Sequence, residues 1–167
     1  KSSANGGIAV YVEGTQTNLS NCSFSNAKSG TSNGIGLFLN TPYATTQQHT
    51  ISDCSFKDND HSGFRVNDGS NISVNGGGAS GNGGVGLSLN NNDPTFASKI
   101  NDCTITGFSS FNNLNGITIG NPSADNVDLT RYGHGNEEAN RVAISNVTCY
   151  DNETNGLVLS GRYISVS

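Results

Sequence analysis

The chain contains no methionine and no tryptophan, only three prolines, and few charges: eight Lys or Arg against thirteen Asp or Glu in 167 residues. Each scarcity excludes something. Disordered chains are typically charge-rich and poor in β-branched residues, whereas charged residues here are 13% of the total. The net charge of −5, without any cluster of Lys and Arg, argues against a nucleic-acid binder. No stretch approaches the ~18 apolar residues of a membrane span, and no segment reads as a secretory signal. The missing initiator Met and the start in mid-pattern lead us to expect a segment of a longer chain.

What fills the chain instead is small and turn-prone. Gly (22), Asn (25) and Ser (22) together supply 69 of 167 residues. These are poor helix formers, so an ordinary helical domain is excluded. Such a composition points to internal repeats, and two motifs alternate. One is Gly followed by alternating apolar residues, as in Gly7-Ile8-Ala9-Val10-Tyr11-Val12 and Gly34-Ile35-Gly36-Leu37-Phe38-Leu39, and again from Gly63, Gly84, Gly116 and Gly156. The other reads Leu19-Ser20-Asn21-Cys22-Ser23-Phe24, Ile51-Ser52-Asp53-Cys54-Ser55-Phe56, Ile100-Asn101-Asp102-Cys103-Thr104-Ile105 and Ile144-Ser145-Asn146-Val147-Thr148-Cys149. Successive Gly anchors lie 27, 29, 21, 32 and 40 residues apart. Short period-2 strands bounded by Asn, Gly and Ser, recurring at this spacing, predict a β-solenoid whose units stack on their neighbours. Asn21, Asp53, Asp102 and Asn146 fall where a sharp bend needs left-handed backbone, which Asn and Asp tolerate best.

The Ile-Ser-Asp-Cys-Ser-Phe bends and the Asn-Gly-Ile strand entries resemble the right-handed parallel β-helix, or pectate-lyase-like, superfamily, and most of all a phage tailspike or polysaccharide depolymerase segment. The resemblance implies an all-β fold: a right-handed single-stranded parallel β-helix of about five coils, one domain over 1–167, with three strands per coil. The Gly-led strand is then the first, the strand before the bend the second, and Cys-Ser-Phe the third. The resemblance further implies a carbohydrate-active protein, a polysaccharide hydrolase or lyase, at a virion or cell surface or secreted. Polysaccharide is the expected partner, and a homotrimer is expected by the same likeness. No metal or cofactor is expected.

Cys22, Cys54 and Cys103 share a place just after the bend, with Cys149 in register with Phe24, Phe56 and Ile105. No pair has zinc-ligand spacing, so they are expected to be interior ladder thiols.

Reading the first strand as alternately inward and outward gives two outward columns. Residues two after each Gly are Ala9, Gly36, Arg65, Gly86, Thr118 and Val158; two further on are Tyr11, Phe38, Asn67, Ser88, Gly120 and Ser160. Arg65 is thus expected over open backbone between two Gly rungs, beside the aromatic step of Tyr11 and Phe38. Sugar C–H faces stack on aromatic rings, and Arg pairs with a uronate or sialate carboxylate. Tyr11, Phe38, Arg65 and Asn67 therefore form a candidate carbohydrate strip, to which Arg131 is added from a loop.

Loops after the first strand are long in three coils, 40–50, 90–99 and 120–141, and short in the others. Long loops on one corner of a rigid scaffold commonly carry function. The longest holds Asp125, Asp128, Arg131, Tyr132, His134, Glu137 and Glu138, and the opposite corner reads Lys57-Asp58-Asn59-Asp60-His61. From these come the candidate catalytic groups Asp60, Asp68, His134, Glu137 and Glu138. Hydrolysis needs two carboxylates ~5–9.5 Å apart, whereas lyase chemistry on a uronate needs a base at C5 and a cation at the carboxylate. The residues fit either. A non-catalytic glycan-binding or structural module of an adhesin or spike is the alternative.

Overall fold

The computed structural model describes residues 2–3, 7–29, 34–40, 48–67, 69–90, 100–120 and 139–167. The backbone is left-handed at Asn21, Asp53 and Asn146, with φ of 53°, 51° and 51°, as expected for the bends. A second column of left-handed residues, Asn26, Asp58, Asn112 and Asp151, turns the chain out of the third strands. Every described element is a strand, of two to seven residues.

Three six-stranded parallel sheets result. The first holds β2 (Ile8–Glu13), β5 (Ile35–Asn40), β8 (Phe64–Asn67), β11 (Val85–Asn90), β14 (Asn115–Ile119) and β17 (Asn155–Leu159). The second holds β3 (Gln16–Ser20), β6 (Gln48–Ser52), β9 (Ile72–Asn75), β12 (Asn101–Thr106), β15 (Ala139–Ser145) and β18 (Gly161–Val166). The third holds β1 (Ser2–Ser3), β4 (Ser23–Ser25), β7 (Ser55–Lys57), β10 (Gly78–Ser80), β13 (Ser109–Phe111) and β16 (Thr148–Tyr150). Five complete coils run from β2 to β16, with β1 before them and β17 and β18 after. No helix among the described residues is long and apolar enough to cross a membrane.

Alternation puts one apolar ladder after another into the core. Leu37, Phe64, Leu87 and Ile117 stack in register from the first sheet, Ile51, Val74, Ile105 and Ile144 from the second, and all are essentially inaccessible. Phe24 and Phe56 of the third sheet stack at 5.3 Å between ring centroids, and Phe56 meets Phe64 across the core at 5.3 Å.

In the second and third sheets, register departs from the sequence reading in two places. Cys22 and Cys54 stand in register just after their bends, but Cys103 lies inside β12, opposite Ile72 and Val142. The bend of its coil falls on Gly107, φ 67°, and left-handed Asp102 belongs to the entry of the second strands, alongside Asn71 and Arg141. Ile-Asn-Asp-Cys imitates the bend motif while lying one corner earlier. Cys149 pairs with Ser110 of β13 instead of Ile105. All four thiols are free; Cys54 and Cys103 are buried and Cys22 and Cys149 half-buried.

Candidate functional site

The corner leading into the first sheet decides what its outer face carries. Asn59, Asn82, Asn113 and Asn152 form a ladder there, each Nδ2 donating to the next Oδ1 at 2.8, 2.8 and 3.2 Å. Each Oδ1 also accepts a backbone N–H from the preceding rung, Asn82 Oδ1 from Asn59 N at 3.1 Å for example. The amides of Asn59, Asn82 and Asn113 are thereby satisfied in a place water does not reach, and that of half-buried Asn152 closes the ladder. Asn recurs four residues before the aligned Gly in three coils and three before it in the fourth, a spacing visible in the sequence but not used in the reading above.

Beside that ladder the backbones come too close for side chains. A Cβ at Gly36 would lie 2.7 Å from Gly63 O and 2.8 Å from Asn59 Nδ2; one at Gly63 would lie 2.6 Å from Gly86 O. Gly36, Gly63, Gly86, Gly116 and Gly156 therefore share one column, with Ala9 at its start. This alignment shifts the outward columns by two residues relative to the sequence reading. Arg65 does not lie between Gly rungs: its neighbours are Phe38 on one side and Ser88 on the other. Tyr11, Phe38, Arg65, Ser88, Thr118 and Val158 form a single outward column. The residue that does stand between glycines is His61, whose backbone N–H donates to Gly34 O at 2.9 Å and whose backbone carbonyl accepts from Gly84 N.

The three leading members of the column touch. The Tyr11 and Phe38 rings are 5.5 Å apart at 51°, and Arg65 Cζ stands 5.8 Å from the Phe38 centroid, within reach for a cation–π contact. Asn40 Nδ2 donates to Tyr11 Oη at 2.9 Å and fixes that ring, which remains 49% exposed. Arg65 is half-buried, its Nε buried and without a hydrogen-bond partner, as is Oδ1 of Asn67. Burial pushes the guanidinium below its ordinary range, yet an Arg stays charged at neutral pH. No carboxylate among the described residues pairs with it. Beyond it Ser88 and Thr118 continue the column but are buried, and Glu13, absent from the earlier candidates, is in register with Asn40.

Of the proposed acid and base groups, Asp60 is engaged: Lys28 Nζ lies 2.9 Å away and the Ser29 N–H donates at 3.0 Å. The hydrogen bond from Lys28, then that from Ser29, hold its carboxyl below the usual range, so it stays ionised. His61, named above only as part of a charged run, lies four residues before Arg65. Its Nδ1 is 2.8 Å from Ser62 Oγ, and burial, then the charge of Arg65, lowers its pKa, keeping the ring neutral at pH 7. Asp68, Arg131, His134, Glu137 and Glu138 lie outside the described residues, as do segments 41–47, 91–99 and 121–138 of the three long loops. Among the described residues no group of three or more His, Cys, Asp or Glu could hold a metal ion.

A groove of about 590 Å³ opens on the second sheet, lined by Gln16, Gln48, Thr50, Asn71, Ser73 and Thr104 among others. Its hydroxyls are partly spent on each other, Ser73 Oγ to Thr104 Oγ1 at 3.0 Å, and its Asp102 is held by Arg141 at 2.6 and 2.7 Å. No Phe, Tyr or Trp ring and no Lys or Arg lines it, and the imidazole of His49 at its edge is buried. The first-sheet column has both, and is the stronger candidate.

No curated protein and no solved structure matches the chain. A family model described as a right handed beta helix region matches residues 1–98, more than half of the 167. With that match and with three parallel sheets stacked rung on rung, the chain belongs to the right-handed parallel β-helix family.

Proposed function

We propose that the chain binds an acidic polysaccharide along the outward column of the first sheet. Tyr11 and Phe38 offer ring faces to sugar C–H groups, and Arg65 takes a uronate or sialate carboxylate. One observation carries this: two aromatics and a half-buried cation without an acidic partner among the described residues occupy successive rungs in register. A desolvated cation with an unfilled Nε is costly unless an anion completes it. The family's frequent carbohydrate role supports the same reading. With it we propose a tailspike-like role at a virion or cell surface, as a homotrimer.

Cleavage is the second reading, favoured by His61. A neutral imidazole beside a carboxylate-binding cation is what elimination on a 4-linked uronate needs. The C5 proton would pass to Nε2, with Nδ1–H held by Ser62, while the C4–O4 bond breaks and the departing oxygen takes a proton from water. Asp60, Asp68, His134, Glu137 and Glu138 remain the proposed groups for hydrolysis.

The test is incubation of the chain and an Arg65→Ala variant with capsular and uronate polysaccharides. Retention of an acidic glycan that the variant loses supports the binding reading, and shortened products bearing the ultraviolet band of an unsaturated uronate add elimination. Equal retention by both proteins, or by neither across the panel, overturns the strip.

A further inference from the structure

Cys22 and Cys54 are the only cysteines of the chain in register on neighbouring rungs. The pairs Ser23 with Ser55 and Phe24 with Phe56 set that register, and Ser55 N donates to Cys22 O at 2.8 Å. Parallel rungs lie ~4.8 Å apart, inside the ~4.4–6.8 Å between Cα atoms that a disulfide spans. Both sulfurs sit alike: each Sγ lies 3.3 Å from the carbonyl two residues back, that of Ser20 or Ser52. The Cys54 sulfur also reaches across to Leu19 O of the neighbouring rung, at 3.8 Å, and so leans toward Cys22. The other two cysteines have no such partner, since Cys103 lies in the second sheet between Ile72 and Val142, and Cys149 faces Ser110 in the third.

We propose that Cys22 and Cys54 are a modification site: an inter-rung disulfide formed by exchange with a low-molecular-weight disulfide. Cys22 is the half-buried member and reacts first. Its thiolate attacks one sulfur of the small disulfide, that S–S bond breaks, and one small thiolate leaves, giving a mixed disulfide on Cys22. Cys54 then loses its proton to solvent and attacks Cys22 Sγ, expelling the second small thiolate. Two protein thiols are oxidised and one small disulfide is reduced to two thiols. Burial, foremost, raises the Cys54 thiol above its ordinary range, so the closing step is the slower one and quickens as pH rises. The bond ties the first complete coil to the second, the two rungs that carry Tyr11 and Phe38. This inference stands on the third-sheet corner and does not depend on glycan binding.

The experiment treats the native chain with glutathione disulfide, then denatures it in an alkylating agent and measures intact mass. The expected product is lighter by two hydrogens, alkylates at two cysteines instead of four, and links tryptic peptides 2–28 and 29–57. Its melting temperature rises by on the order of 10 °C over the reduced chain, because a loop of some thirty residues is closed in the unfolded state. Cys54→Ser stops at the glutathione adduct on Cys22, while Cys103→Ser and Cys149→Ser still close the bond. Four alkylated cysteines, a wild-type chain that stays at the adduct, or a link between any other pair overturns the proposal.

Discussion

Arg65 stands over the ring of Phe38, its Cζ 5.8 Å from the centroid, although 27 residues separate the two and neither motif that contains them announces the meeting. The contact exists because Phe38 and Arg65 are paired across β5 and β8. It sets an aromatic platform and a cation side by side, one rung apart.

If that cation receives a carboxylate, Arg65→Ala weakens binding of a uronate polysaccharide by about ten- to a hundredfold, as expected for losing a charge-assisted hydrogen bond. Arg65→Lys restores only part, since an ammonium cannot present the planar fork. Titration calorimetry against the same glycan at two salt concentrations checks this; an unchanged affinity in Arg65→Ala removes the carboxylate from the reading.

Tyr11→Ala and Phe38→Ala are expected to cost about 1 kcal/mol each, and to do so for acidic and neutral glycans alike, because ring faces do not sense charge on the sugar. Losses confined to acidic glycans would assign these residues to holding Arg65 in place.

Asn82 sits in the middle of the amide ladder. Its Oδ1 accepts from Asn59 N and Nδ2, and its Nδ2 donates to Phe56 O and Asn113 Oδ1. Asn82→Ala orphans groups on both neighbouring rungs and lowers unfolding stability by about 3 kcal/mol, read from the urea midpoint. An exposed control, Asn18→Ala, leaves the midpoint within about 0.5 kcal/mol.

Gly63→Ala places a Cβ 2.6 Å from the carbonyl oxygen of Gly86, a backbone atom that cannot step aside. The rungs must part, at a cost of about 2–3 kcal/mol. Circular dichroism melts of the variant beside the parent measure it.

His49 points into the core opposite Ile72, fully buried, with neither ring nitrogen hydrogen-bonded. Burial lowers its folded pKa below 6.5, so the neutral form belongs to the folded state. Its stability contribution is present above ~6.5, the unfolded value, and is lost as pH falls below it. His61 acts in the same direction. Urea midpoints should therefore fall between pH 6.5 and 5, above the range where carboxylates titrate, and His49→Leu should shallow that slope while His61 keeps the remainder. A slope identical to the parent's would assign the pH dependence to other groups.

The sequence by itself determined which face each strand residue takes, three of the four bends read from it, and from which corner the long loops leave. Those are local properties: alternation has a period of two, and Asn and Asp accept left-handed backbone at little cost, so Asn21, Asp53 and Asn146 announce their bends alone. Tertiary structure decided the register between rungs. Gly34-Ile35-Gly36 and Gly84-Val85-Gly86 can be aligned with Gly63 from either glycine, and a two-residue slip preserves every inward and outward assignment. Only the amide ladder and the close approach of Gly36 to Gly63 O choose between them. That choice brings Arg65 against Phe38 and leaves His61 between glycines. In the same way Ile-Asn-Asp-Cys imitates a bend at 100–103 until hydrogen bonds to the neighbouring rungs assign it to a strand entry. Faces follow from parity within one strand; columns follow from which strand lies beside it.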